Sequence, residues 1–358
     1  MTPTEQSPPP ASVCVLRLSA IGDVCHTLPV VRTIQDAWPG TPVTWILGRV
    51  EHKLVGHLPD VEFVVFDKRA GLAGYRDLRQ RLSGRRFDVL LHMQLALRAS
   101  VAAALVPAPV KVGFDRARAR EGQWLFTNRR IAARGREHVL DGLFGFAEAI
   151  GLGRRSMRWN IPLPEAARAE GRRAVPDDAP TLVLSPCSSH ALRNWGPDRY
   201  AALADHAVAR HRLRVIVCGG PTDLERETGA RIAAAMHHPC DNLVGQDTLP
   251  GLLATLARAT VLVSPDSGPA HMATAVGTPV VGLYAATNPA RSGPYYSRAW
   301  CVDRYPEAAR HFLGREPGEI PWTTKIERPG VMDLVTLDDA VERLDALMAA
   351  GAPRTPCG

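Results

Sequence analysis

Apolar, β-branched runs alternate along this chain with segments whose apolar positions recur at helical spacing. In the first half, residues 13–18, 42–47, 61–66, 87–92 and 111–114 read as buried strands. Helices are predicted over 30–37, 75–82, 94–104 and 138–150, and 151–179, with its Arg, Pro and Asp, reads as a linker. The pattern then restarts. Strands are predicted at 181–185, 213–218, 242–245, 261–263 and 280–284, with helices over 198–210, from 225 to 236, and over 248–258, 270–275 and 337–350. Strands alternating with helices in both halves predict an α/β fold, with two doubly wound Rossmann-like domains facing each other across a cleft. The expected division is a disordered tail over 1–12, an N-terminal domain over 13–165, a C-terminal domain over 166–336, and a terminal helix and tail over 337–358.

The second half centres on Val261-Leu-Val-Ser-Pro-Asp-Ser-Gly-Pro-Ala-His271. It reads as a strand, a turn and the start of a small-residue helix. Asp266 or Ser267 could cap that helix, and Pro269 suits its first turn, where a missing N–H has no helical partner. Free N–H groups at a helix start, with Gly268 allowing close approach, suit a phosphate; a plain capped helix in an α/β core is the other reading. Asp23 falls after the first strand, where open α/β sheets bind ligands, and is either a helix cap or a catalytic carboxylate. His26 is either a second polar group there or a structural histidine. Arg116, Arg118 and Arg120 alternate with Ala, so an extended loop would place all three on one side, facing either an anionic ligand or solvent.

Charge sharpens this picture. Net charge is +7, and residues 1–165 hold 23 Lys and Arg against 15 Asp and Glu, whereas 166–358 hold 20 against 21. The basic excess therefore sits in the first half and suits nucleic acid, an anionic membrane surface or a phosphorylated substrate. No recognition helix, zinc pattern or aromatic-interleaved basic stretch supports nucleic acid. The seven Cys form no C-x-x-C pair, which points to a reducing compartment and away from a zinc site. No apolar run is long enough to span a bilayer, and the first twelve residues carry no signal-peptide pattern. Dinucleotide, P-loop and nucleophile-elbow motifs are absent, which removes the main support for dehydrogenase, P-loop NTPase and serine-hydrolase readings.

Four motifs in order, Leu18-Ser-Ala-Ile-Gly-Asp-Val-Cys-His-Thr-Leu-Pro29, Arg193-Asn-Trp195, Cys218-Gly-Gly-Pro-Thr-Asp223 and Ser264-Pro-Asp-Ser-Gly-Pro-Ala-His271, resemble the ADP-heptose:lipopolysaccharide heptosyltransferases, glycosyltransferase family 9. The likeness runs from about residue 13 to 350, and Gly113 to Glu121 looks most like the heptosyltransferase I branch. The resemblance implies a GT-B fold and inverting transfer of L-glycero-D-manno-heptose from ADP-heptose to Kdo of the lipopolysaccharide inner core. It implies no cofactor and no metal. The acceptor, Kdo-lipid A, implies a cytoplasmic enzyme peripheral to the inner face of the inner membrane, with no transmembrane segment and no nucleic-acid partner. Asp23 matches the family's general base. Ser188, Ser189, Arg193, Asp266, Ser267, Gly268 and His271 match donor-binding positions, and Asp223, with Glu225 as the alternative, is where ribose hydroxyls would bind. Arg116, Arg118, Arg120 and His26 are the expected acceptor contacts. Arg193 stands where the family often has Lys, and Asn288 where it often has Asp. The competing expectations are another nucleotide sugar or acceptor on the same scaffold, and a non-catalytic nucleotide-sugar-binding protein.

Overall fold

Twelve short strands fall into two sheets of the computed structural model, which describes residues 8–176 and 179–355. The chain divides between Pro162 and Leu163 into two units. Residues 1–7, Asp177 and Asp178 lie outside the described residues, as does Cys357. The six described cysteines are free thiols.

The first unit holds β1 (Val13–Leu16), α1 (Ile21–Ala37), β2 (Val43–Gly48), α2 (Arg49–Val55), β3 (Val61–Phe66), α3 (Leu72–Arg81), β4 (Val89–His92), α4 (Leu97–Ala104), β5 (Val110–Gly113), β6 (Arg129–Arg130) and α5 (Val139–Ala149). Its sheet is parallel, in the order β3-β2-β1-β4-β5-β6. Every side chain of β1 is buried, because the central strand is covered on both faces. Val13 pairs with Val43 on one side and Val89 on the other. The strand order reverses between β1 and β4, and a doubly wound sheet binds its ligand outside the carboxyl ends of the strands at that point.

The second unit holds α6 (Glu165–Ala174), β7 (Thr181–Leu184), α7 (Pro197–His211), β8 (Arg214–Val217), α8 (Asp223–Ala235), β9 (Asp241–Asn242), α9 (Leu249–Arg258), β10 (Val261–Pro265), α10 (Gly268–Ala275), β11 (Val280–Tyr284), α11 (Pro289–Ser292), β12 (Val302–Asp303), α12 (Tyr305–Ala308) and α13 (Leu337–Ala349). Its parallel sheet runs β12-β11-β10-β7-β8-β9, the same winding as the first, with the reversal between β7 and β10. Leu182, Leu184, Val215, Val217, Tyr200 and, from α13, Leu344 and Leu347 share one core.

Three sequence expectations need correction. The first helix begins at Ile21, not at residue 30, so Asp23 lies in its first turn and Pro29 in its interior. Proline there removes the N–H that would bond the Cys25 carbonyl. The Trp159 indole N–H donates to that carbonyl at 2.8 Å and replaces the lost bond. Local sequence reads Pro29 as the end of a turn because that partner comes from 134 residues downstream. The expected linker over 151–179 contains α6, whose apolar face is only Ala167 and Gly171. A Cβ on Gly171 would stand 2.8 Å from the Ala254 carbonyl carbon and oxygen, so α6 lies tight on α9 through small residues rather than a large apolar stripe. Residues 115–121 are coiled, not extended. The Asp115 carbonyl accepts the N–H groups of Arg118 at 3.2 Å and Ala119 at 2.8 Å. The helix α2 has no counterpart among the sequence expectations; it is seven residues long with only Glu51, Leu54 and Val55 buried.

Buried amides tie the strand ends of the first unit together. Gln123 is fully buried and donates through Nε2 to the His92 and Gln94 carbonyls at 2.9 and 3.0 Å, while its Oε1 accepts from Phe114 N–H at 3.0 Å. His92, the last residue of β4, is buried with Nε2 3.0 Å from Ser100 Oγ. Burial, helped by the positive charges of Arg17 and Lys111, pushes its imidazole down to about 3. An unfolded imidazole takes its proton near ~6.5. The unfolded chain therefore binds a proton that the folded one refuses, and this contribution to stability is lost as pH falls from ~6.5 toward 3. The urea midpoint should fall across that window, and fall less in His92→Gln. Equal slopes in the two proteins would remove His92 as a cause.

Candidate active site

In the first unit, β1 ends at Leu16 and the chain turns into α1 with Asp23 in the third helical position. Its carboxylate accepts from the Ala20 backbone N–H at 3.1 Å, fixing the helix start. It also pairs with Arg17 Nη2, and about a third of it is exposed. Arg17 is mostly buried. Its Nε donates to the Ser19 carbonyl at 3.0 Å, and its Nη1 to the Met93 carbonyl. One guanidinium thus bridges the carboxyl ends of β1 and β4 and holds Asp23 at the point where the strand order reverses. Gln94 reinforces this: Leu18 N–H donates to its Oε1 at 2.6 Å, and its Nε2 donates to Ser19 Oγ at 3.3 Å. Sequence reasoning missed Arg17 and Gln94, because a strand-end Arg and a loop Gln carry no motif of their own.

The other first-unit candidates separate. His26 is 4% exposed and stacks edge-on against His138, the cap of α5, at 5.4 Å, inside the unit rather than at its surface. Arg118 is braced internally: Nε pairs with Asp115, Nη1 with Glu137, and Nη2 donates to the Ala132 carbonyl at 3.0 Å. Arg116 and Arg120 are exposed. The coiled backbone therefore gives the three arginines different surroundings, and the expected shared side does not form.

In the second unit Ser188, Arg193, Asp266 and His271 come together at the start of α10. The loop after β7 carries Ser188 and Ser189, then Arg193-Asn194-Trp195, each with its own task. Trp195 is buried edge-on against Tyr200 and donates from Nε1 to the Val335 carbonyl at 2.8 Å, anchoring the loop. Asn194 Oδ1 accepts from Ser188 N–H at 2.7 Å, and Ser188 Oγ donates to the Asp266 carbonyl at 2.8 Å. Ser189 is exposed beside it. Arg193, 12% exposed, reaches Asp266 Oδ2 through Nη1 at 3.5 Å.

That arrangement sits at the start of α10. Ser267 occupies the cap position without a side-chain bond to the helix; its hydroxyl lies 2.7 Å from Ser264 Oγ instead. The expectation that Asp266 or Ser267 caps by side chain gives way, since the Asp266 carboxylate is turned to Arg193 and to His271 Nε2, 3.9 Å away. The N–H groups of Ser267, Gly268 and Ala270 come before the first donor of the helical ladder, so they have no acceptor inside the helix. The helix dipole adds positive potential there. After β8, Glu225 folds back over the Gly219-Gly220 turn, accepting from Gly220 N–H at 2.8 Å and Thr222 Oγ1 at 2.6 Å. Asp223 is exposed in the first turn of α8. Asn288 caps α11, its Oδ1 accepting from Ala290 N–H at 2.9 Å.

Sequence reasoning also missed Glu327, which lies in a stretch, 304–330, that offers no motif. Its Oε1 accepts from Arg193 Nε at 2.8 Å and Nη2 at 2.6 Å. Burial pushes the Glu327 carboxyl up, but the hydrogen bonds and charge of Arg193 outweigh it and hold the group below its ordinary range. Only the folded chain brings positions 134 residues apart into this contact.

Two Rossmann-like units in series, each on a six-stranded parallel sheet, are the architecture of the GT-B glycosyltransferases. The model of glycosyltransferase family 9 (heptosyltransferase) matches residues 75–316. The chain is 39% identical over 338 residues to the lipopolysaccharide core heptosyltransferase OpsX of Haemophilus influenzae, covering 94% of this chain and 97% of that one. It is 26% identical over 300 residues to lipopolysaccharide heptosyltransferase 1 of Pseudomonas aeruginosa, covering 79% and 81%. Among solved structures, the E. coli heptosyltransferase WaaC with ADP superposes with a TM-score of 0.73 at 20% identity, over 94% of this chain and 99% of that one. The chain belongs to glycosyltransferase family 9 and is a glycosyltransferase.

Proposed function

We propose that this enzyme transfers L-glycero-D-manno-heptose from ADP-heptose to Kdo of the lipopolysaccharide inner core, with inversion, and acts in the heptosyltransferase I branch. The observation that carries the reading is the convergence of Arg193, Ser188, Asp266 and His271 on the start of α10, at the carboxyl ends of β7 and β10. A diphosphate fits there, because the first-turn N–H groups and the guanidinium meet negative charge without reorganising. Glu225 fits ribose hydroxyls better than Asp223, since it is already held against the Gly-Gly turn after β8.

Asp23 acts as general base. It takes the proton from the acceptor hydroxyl as that oxygen forms its bond to the anomeric carbon. The bond from that carbon to the ADP oxygen breaks, and the electron pair leaves with ADP, where Arg193 and the α10 N–H groups neutralise it. Arg17 keeps the Asp23 carboxylate aimed. Basic Arg116 and Arg120, with exposed Leu97, Val101, Trp124 and Leu125, suit an anionic lipid acceptor at the inner face of the inner membrane. No helix of the described residues is long and apolar enough to cross a membrane.

The test is incubation with ADP-heptose and Kdo-lipid A in the presence of EDTA, reading nucleotide release and acceptor mass, with GDP- and UDP-sugars as controls. A heptose-sized mass gain with ADP release is expected. Release from another nucleotide sugar alone would keep the fold and overturn the donor. In the same assay Arg116→Ala with Arg120→Ala should raise the acceptor KM more than the donor KM, whereas an unchanged acceptor KM would return both residues to a solvated loop.

A further inference from the structure

A second cluster in the C-terminal unit has no part in this chemistry. His206 and His211 lie on α7, and Asp345 on α13. Both imidazoles place Nε2 on the same carboxylate oxygen, Asp345 Oδ1, at 2.7 and 2.6 Å. The three atoms lie within 4.8 Å of one another, and the rings stand edge-to-face at 5.8 Å. Among the described residues this is the one group of His, Cys, Asp and Glu side chains close enough together to share a metal ion.

We propose that His206, His211 and Asp345 form a structural site for a divalent transition metal of the zinc class, which clamps the C-terminal helix to α7. The ligand set is two neutral nitrogens and one carboxylate oxygen, which suits zinc rather than magnesium or calcium. Tetrahedral coordination with bonds of about 2.0–2.1 Å separates ligand atoms by about 3.3 Å. The Asp345 oxygen therefore needs to withdraw from both nitrogens, and the two nitrogens, within 4.8 Å of each other, need to take up the same spacing, through torsions of side chains of which Asp345 is 39% exposed. That exposure also leaves room for water as the fourth ligand. Ala207 beside His206, and Leu344 and Leu347 around Asp345, belong to the unit's core, so the polar group sits against a carbon wall. A metal here would reach across α7 and α13 and add coordinate bonds to their packing.

The full-length, untagged protein loaded with Zn²⁺ and dialysed should retain one zinc per chain by elemental analysis, and zinc should raise its Tm. Co²⁺ should give the visible spectrum of a low-coordinate nitrogen–oxygen site. His206→Gln, His211→Gln and Asp345→Asn should each lose the retained metal, the cobalt spectrum and the Tm shift while keeping the far-ultraviolet circular dichroism and transferase activity of the parent. His237→Gln with His238→Gln, which alters the neighbouring histidine pair on Asp205, should keep all three signals. Zinc content in the wild type no higher than in Asp345→Asn would overturn the site. So would loss of zinc from the His237/His238 variant with retention in His206→Gln.

Discussion

Asp23→Asn is expected to lower kcat by roughly 10²–10⁴-fold, the range for loss of a positioned general base, while ADP affinity stays at the parent value. The side chains proposed to bind the donor belong to the second unit, whereas Asp23 is anchored by Arg17 and Ala20 of the first. Asn is the informative replacement because its amide oxygen can still accept from the Ala20 N–H and hold the start of α1. Asp23→Ala removes that bond as well, and would mix loss of chemistry with loss of the contact that fixes the start of α1. Stopped-assay nucleotide release and calorimetric ADP binding separate the two effects. Turnover of Asp23→Asn within about tenfold of the parent would show that another group accepts the proton. Arg17→Gln should fall between the two proteins, since it frees the carboxylate without removing it.

Arg193→Ala is expected to cost roughly 10²–10³ in kcat, the scale seen when one fixed donor to a developing anion is removed, and to raise the donor KM. Two effects add here. The proposed diphosphate site loses its guanidinium, and the Glu327 and Asp266 carboxylates both lose the positive partner they share. Arg193→Lys should recover only part, because a single ammonium cannot reproduce the two-nitrogen contact to Glu327 Oε1. Glu327→Gln tests the positioning role separately: it keeps Arg193 in place to donate but removes the charge that fixes its plane. A donor KM unchanged in both Arg193→Ala and Glu327→Gln would remove the guanidinium from the donor site. Because Arg193 holds the Glu327 carboxyl below its ordinary range, the contact should persist as pH falls through ~4.3, the usual glutamate value, and fail only below it.

Much of the fold is legible because strand signals are local. β11 occupies the residues its apolar run predicts, and the other major strands lie within a few residues of theirs, since buried parallel strands are short apolar runs. Helix limits are less legible. The pattern starts α1 late because Pro29 reads as a break, and only Trp159 explains why it is not one. α6 reads as linker because close packing through Gly171 leaves no large apolar stripe to detect. The candidate site divides in the same way. Asp23, Arg193, Asp266, Ser267 and His271 stand in short motifs at strand ends, where sequence order already places them near a ligand edge. Arg17, Gln94 and Glu327 are silent, because their roles are contacts with residues distant in the chain or hidden in a neighbouring turn.

By itself the sequence determined the alternation of strand and helix, the duplication of that pattern, the asymmetry of charge and the motifs that carry the family resemblance. All of these are properties of neighbouring residues or of simple sums. Tertiary structure decided which carbonyl would be rescued by which indole, and which of three alternating arginines would be locked by Asp115 and Glu137. It also decided that Glu327 would face Arg193. The physical reason is one of range: secondary structure follows from backbone sterics and apolar spacing over a few residues. The orientation of a buried charge follows from whatever partner the closed chain brings within about 3 Å.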